Sequence, residues 1–322
     1  MICNSEMKRF LIRFRQFGGF ELLKEYIRKG VFIHALGQFL LVLLHKKSLT
    51  EADGAIRRKI TPQLRSEFFE VMKQLEKKYE GMELAHERSN KVWFCWMQGL
   101  EKAPKLVRVC YESLKKNLQG REIIVLTSKN IHDYVTMPDD IEEKYQKGIV
   151  TMVQYTDMLR LELLIRYGGT WMDSTVFCSD NQYPEELLDC DLFVYQQRNR
   201  QQAFAGLSSW FVSACTNNQV LLVLRDMMYE YWRRYNCVID YFLFHLFFGM
   251  IAEYHQKEID QMPKQSNRWP LTLATWLGDS YDEGKYQELC RRTSFHKLTY
   301  RLKKDVEREG TFYNVLIQGY EG

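Results

Sequence analysis

The sequence predicts an α/β protein carrying helical segments at both ends. Short apolar runs alternate with amphipathic helical stretches between about residues 89 and 200, the period change of a strand–helix–strand fold. Helical periodicity precedes this region, and an aromatic-rich, mostly helical pattern follows it from about residue 205. The 322 residues suffice for one large α/β domain with a helical appendage.

The first segment, residues 1–88, reads as helical throughout. Phe10, Phe14 and Phe17 recur at helical spacing, with Lys8, Arg9, Arg13 and Arg15 around them, and Gly18-Gly19 ends the run. Such a basic amphipathic stretch suits a membrane-surface anchor, aromatics in the interface and cations on anionic headgroups. It suits equally a packing helix with a solvated basic face. A second apolar helix follows. A third is predicted to start with Thr61 as cap and Pro62 in the first helical position, with Leu64, Phe68, Met72, Leu75 and Tyr79 on one face and Gly81 as the stop. The main domain is placed at 89–322.

Within it, Lys91–Trp96 reads as a buried strand ending before Gly99. Pro104 opens a helix with Leu106, Val109, Leu114 and Leu118, closed near Gly120, and Glu122–Leu126 is the next strand. These lengths make a βαβ unit, hence parallel pairing with covered faces. Residues 155–167 form a further helix, stopped by Gly168-Gly169, and Thr170–Asp173 enters another strand. Ligands of such sheets bind beyond the carboxyl ends of the strands, where Trp96 and Asp173 both fall.

Composition excludes several classes. A net charge of +4 is too small to argue for nucleic acid. Eight cysteines without a CxxC pair, several inside apolar runs, read as buried thiols in a reducing compartment. No signal-peptide pattern opens the sequence, and the longest apolar stretch, Val31–Leu44, is shorter than the ~20 residues of a spanning helix. A cytoplasmic chain is expected. Neither an HExxH motif nor a Ser-His-Asp arrangement stands out.

The most informative stretch runs from Tyr155 to Val176. Asp157 and Arg160 are three apart and share a helix face, and the next strand delivers Asp173. A strand-end carboxylate beside a guanidinium suits a diphosphate with its divalent cation. The pattern Asp157-x-x-Arg160 … Tyr167-Gly-Gly-Thr-Trp-Met-Asp173, preceded by a strand ending in Trp96, resembles the capsular polysaccharide synthesis proteins. These belong with glycosyltransferases sharing a DxD-type sugar-binding region, a group that includes fungal outer-chain mannosyltransferases and clostridial glucosylating toxins. The segments Val92-Trp-Phe-Cys-Trp-Met-Gln-Gly, Lys144-Tyr-Gln-Lys-Gly-Ile, Ser208-Ser-Trp-Phe, Ile239-Asp-Tyr-Phe-Leu-Phe-His-Leu-Phe-Phe and Phe295-His-Lys-Leu-Thr-Tyr resemble that family in the expected order, over about residues 90–301.

The resemblance implies a GT-A fold with a mixed, mostly parallel sheet, a UDP-hexose donor, Mn²⁺ or Mg²⁺, and retention of anomeric configuration. Trp96 matches the aromatic that stacks on uracil. Asp157 and Arg160 match the donor-sugar pair, and Asp173 matches the first acid of the DxD motif. The motif reads Asp173-Ser174-Thr175 here, so a hydroxyl stands where the second acid commonly touches the metal. His296 is implied as a replacement metal ligand and Lys297 as a cation for the diphosphate. Asp240 and His245 lie among aromatics, either lining the acceptor side, with Asp240 joining Asp173 and Arg160 in catalysis, or forming a hydrogen-bonded core pair. The implied reaction passes Gal or Glc from the UDP-sugar to an undecaprenyl-diphosphate-linked glycan at the inner membrane face, in bacterial capsule synthesis. A nucleotide-sugar-binding pseudoenzyme and a membrane-surface scaffold are the alternatives.

Overall fold

The computed structural model describes residues 11–196, 206–302 and 306–320. Lys8, Arg9 and Phe10 of the predicted basic stretch, and Cys3, lie outside the described residues.

Four helices come first: α1 (residues 11–16), α2 (Phe20–Arg28), α3 (Phe32–Leu43) and α4 (Leu49–Tyr79). Helix α4 corrects the predicted start at Pro62. A capping box starts it at Ser48, whose side chain accepts from the Glu51 amide while the Glu51 carboxylate accepts from the Ser48 amide. Pro62 lies inside the helix, and Thr61 is buried there rather than capping it. An interior proline costs ~3 kcal/mol. The same helix buries Ile60, Leu64, Phe68 and Met72 almost completely, each worth roughly 1.5–3 kcal/mol, so packing outweighs the lost hydrogen bond.

The predicted βαβ unit is present as β1 (Lys91–Cys95), α5 (Lys105–Asn117) and β2 (Glu122–Leu126). Short helices α6 (Ile131–Tyr134) and α7 (Asp139–Gln146) lead to α8 (Met152–Tyr167), which the Thr151 hydroxyl caps at the Gln154 amide. Strand β3 (Gly169–Met172) follows at once. The chain reverses here through Gly168 (φ +64°) and Gly169 (φ +90°), and a Cβ on Gly169 would lie 2.3 Å from the Lys91 carbonyl oxygen. Only glycine fits.

The remaining elements are β4 (Val176–Cys178), β5 (Leu192–Gln196), β6 (Leu207–Ala214), α9 (Gln219–Arg234), α10 (Leu243–Tyr254), α11 (Gln256–Gln261), α12 (Arg268–Trp276), α13 (Glu283–Cys290) and β7 (Phe295–Lys297). The last region is mainly helical, as expected, but it opens on the eight-residue strand β6. The five-stranded sheet has the order β2-β1-β3-β6-β5. Strand β1 pairs parallel with β2 and β3, whereas β6 pairs antiparallel with both β3 and β5. Only β6 therefore runs against the others, which gives a mixed, mostly parallel sheet. A separate two-stranded sheet joins β4 to β7.

Helix α4 packs on α9 and α10, with the Phe68 ring 4.8 Å from Phe247 and 6.0 Å from Tyr231. One apolar core continues from Leu22 and Val31 through this layer to Trp93 and Trp171 of the sheet.

Candidate active site

Strand register assembles the site. Phe94 of β1 lies opposite Met172 of β3 in parallel pairing, so the residues just beyond, Trp96 and Asp173, emerge at one sheet end. Asp173 is held by its own amide on the Trp210 carbonyl (2.8 Å) and by the Trp171 indole on its Oδ1 (3.0 Å). The turn through Ser174 and Thr175 leads into β4, whose pairing with β7 sets Val176 opposite Lys297. The Lys297 ammonium thereby reaches Asp173 Oδ2 at 2.8 Å and donates to Thr175 Oγ1 at 2.6 Å. Ser174 is half-exposed in the same turn.

Helix α8 supplies the second half. Arg160 Nη2 lies 2.9 Å from Asp157 Oδ1 and 3.9 Å from Asp173 Oδ1, while Nη1 donates to the Ser209 carbonyl of β6 at 2.7 Å. The guanidinium also lies over the rings of Trp171 (5.0 Å) and Phe244 (5.4 Å). Asp157 and Arg160 are both buried, in surroundings where charge–charge interactions are strong. Burial pushes Asp157 up to about 6, against the pull of Arg160. Burial also raises Asp173, but Lys297 and Arg160 more than offset it and hold that carboxyl below its ordinary value.

Trp96 continues the β1–β2 pairing through its amide on the Leu126 carbonyl (2.9 Å), and its ring meets Tyr300 edge-on at 5.6 Å. Its indole nitrogen is buried without a hydrogen-bond partner. Trp96 and the Asp173 cluster thus occupy neighbouring strand ends.

Two predicted residues are not brought to this cluster. His296 precedes Lys297 on β7, and alternation along a strand turns it to the opposite face. It is fully buried between Phe177 and Tyr286, bonds Ser179 Oγ at 3.2 Å, and is pushed down to about 4 by burial. It therefore does not face Asp173 as a metal ligand. Asp240 is buried at the junction of α4 and α10, where Arg57 Nε (3.1 Å) and the Phe242 amide (2.9 Å) hold its Oδ1. Its charge partner is Arg57, so of its two expected readings neither the place beside Asp173 nor the pair with His245 is what the structure forms.

Other residues join the site: Tyr241 and Tyr300 without having been singled out for it, and His245 as one of its two expected readings had it. Tyr241, partly exposed, feels the charges of Asp157 and Asp173, and its carbonyl accepts from Gln154. His245 sits among Phe242, Phe244 and Arg160, and burial with that arginine pushes it down to about 4, so it is neutral near pH 7. Tyr300 arrives because it follows β7 closely in sequence, a signal visible only once Lys297 is placed.

A divalent cation here would draw on Asp173 and Thr175. Lys297 already bridges both, and among the described residues no group of three His, Cys, Asp or Glu side chains is placed to hold a metal ion. A dication between them would face Lys297 and Arg160 at close range. These residues do not fit a resident metal; the positive charge at this point belongs to Lys297.

A family model described as capsular polysaccharide synthesis protein matches residues 38–316. The chain belongs to the capsular polysaccharide synthesis family. The match begins inside α3, so the region matched takes in α4 as well as the sheet. No curated protein matches this family member at a significant level. Among solved structures, one described as PaToxG glycosyltransferase is similar at 13% identity and a TM-score of 0.37, covering 74% of this chain and 95% of its own.

Proposed function

We propose that this family member is a retaining hexosyltransferase that moves Gal or Glc from a UDP-sugar to a lipid-linked glycan. One observation carries the reading: a buried Asp157–Arg160 pair and the Lys297-bridged Asp173–Thr175 turn converge beside Trp96 at the carboxyl end of β1 and β3. Each group has a task in such a transfer. Trp96 offers a ring face to a base. Asp157 accepts from sugar hydroxyls, and Arg160 is fixed to donate. The Lys297 ammonium has three protons; Asp173 and Thr175 hold two, and the third is left for a phosphate oxygen.

In the reaction the bond from sugar C1 to the diphosphate oxygen breaks, and a bond from the acceptor oxygen to C1 forms on the same face. The acceptor proton passes to the departing phosphate oxygen. The protein's work is to stabilise the charge developing on that diphosphate, and prearranged cations in a water-poor site do this well. No side-chain nucleophile is required.

The test is UDP release from a panel of UDP-sugars, with added Mn²⁺ and with chelator, for the wild type, Asp173→Ala and Lys297→Ala. Release from one donor that drops roughly 10²-fold or more in both variants, and persists in chelator, is the expected result. No release and no donor-induced stabilisation across the panel would refute the transferase and favour a scaffold. Release abolished by chelator would restore a metal to the Asp173 turn.

A further inference from the structure

Helix α3, FIHALGQFLLVL, contains no Asp, Glu, Lys or Arg. A helix apolar on every side is normally buried. Ala35 and Val42 do face inward, yet Ile33, Leu36, Leu40 and Leu44 form an outer stripe exposed by 83%, 46%, 49% and 63%. Their spacing of three, four and four residues sets them on one face. Phe20 and Ile27 of α2 add 78% and 61% exposure. Exposed apolar residues thus recur on two helices that touch each other, unlike apolar residues scattered singly over a surface.

Charge says what covers it. Residues 11–47 contain seven Lys or Arg and two Glu, a net of +5, more than the +4 of the whole chain. Arg15, Lys24, Arg28 and Lys46 are exposed; Lys24 and Arg28 pair with Glu21 and Glu25 on α2, while Arg15 precedes α2 and Lys46 follows Leu44 closely in the chain. Among the described residues no helix is long and apolar enough to cross a membrane, and twelve helical residues extend only ~18 Å against a hydrocarbon core of ~30 Å. An apolar stripe flanked by cations on a short helix is the pattern of an element lying in the interface of an anionic bilayer.

We infer that α2 and α3 form a docking face for an anionic lipid surface, with Phe20, Ile27, Ile33, Leu40 and Leu44 inserted among the acyl chains. The stripe differs from the Phe14/Phe17 one expected from sequence. Phe17 is turned inward and stacks on Tyr241 at 6.1 Å, so it couples this helical layer to the active site instead of facing lipid. Beneath Leu36 an apolar pocket lined by Phe14, Phe32 and Phe39 opens. The docked enzyme would present the end of the site at Tyr241 toward the membrane. This placement rests on the transferase reading only for its purpose, because lipid binding and donor hydrolysis are read separately.

The test is co-sedimentation with phosphatidylcholine vesicles, with and without phosphatidylglycerol, comparing wild type with Ile33→Glu/Leu40→Glu. Both positions are exposed, so the variant should keep its circular dichroism and its hydrolysis of a soluble UDP-sugar. Wild type should bind the anionic vesicles, release on adding salt, and lose about tenfold or more affinity in the variant. Equal partitioning of wild type and variant would overturn the inference. So would absence of vesicle binding together with a sedimentation dimer that the variant abolishes, since a second copy would then be the cover. Loss of donor hydrolysis with vesicle binding intact would sink the transferase and leave the docking face standing.

Discussion

Asp157 and Arg160 sit three residues apart on α8, a spacing that usually gives a solvated surface pair of small energetic worth. Here the pair is closed over by β6 and the rings of Trp171 and Phe244, so removing either partner strands a buried charge. The shift of Asp157 to about 6 has a measurable consequence. A carboxylate that accepts from a sugar hydroxyl must be ionised, so donor affinity should be constant above about pH 7 and weaken as pH falls through 6. Asp157→Asn should bind weakly at every pH and flatten the profile. A wild-type donor Kd unchanged between pH 7 and pH 5 would refute this role. Asp173, held low by two cations, stays charged across the same range and contributes no such slope.

Elements, not residues, decide where these groups meet. Lys297 lies 124 positions after Asp173 in the sequence, and only the antiparallel β4–β7 pairing brings it to the turn. That same pairing turns His296 away. The α8–β3 reversal is equally demanding, because Gly169 is both left-handed and in contact with the Lys91 carbonyl. Gly169→Ala should therefore cost more than the ~1–3 kcal/mol of backbone strain alone. Gly120→Ala is the control: its φ is +77° but nothing lies within 4 Å of the added Cβ. Urea midpoints should fall further for Gly169→Ala than for Gly120→Ala; equal shifts would show that the contact with β1 yields without cost.

At the scale of the whole molecule, the helical layer and the sheet share one core, and a buried polar contact ties α4 to α10 within that layer. His255, at the end of α10, bonds Glu76 of α4 at 2.8 Å, with Glu258 of α11 3.6 Å from its other nitrogen. Burial lowers His255, but Glu76 and Glu258 more than offset this and raise it above its ordinary 6.5. A histidine raised on folding stabilises fully below the unfolded value and loses that contribution as pH rises through the folded one. Chemical stability should thus be higher at pH 6 than at pH 8 through this contact, and His255→Gln should lose that difference. A wild type equally stable at both pH values, or a variant with the same slope, would remove His255 as the cause.

The sequence alone determined the βαβ unit, the glycine reversal and the helical flanks, and it singled out Trp96, Asp157, Arg160 and Asp173, which the fold brings to neighbouring strand ends. The elements and the placing of these residues at strand ends and on one helix face follow from local period, turn chemistry and short spacings, which a linear pattern carries; their binding roles are implied by the family resemblance. It misplaced the start of α4, because a proline reads as a start signal while the compensating burial of Phe68 against Phe247 is nonlocal. Only the tertiary structure decided that Lys297 bridges Asp173 and Thr175, that His296 is buried behind it and that Asp240 belongs to Arg57. Strand pairing across more than a hundred residues chooses the face each side chain takes, and a shift of one residue in that register would exchange Lys297 for His296.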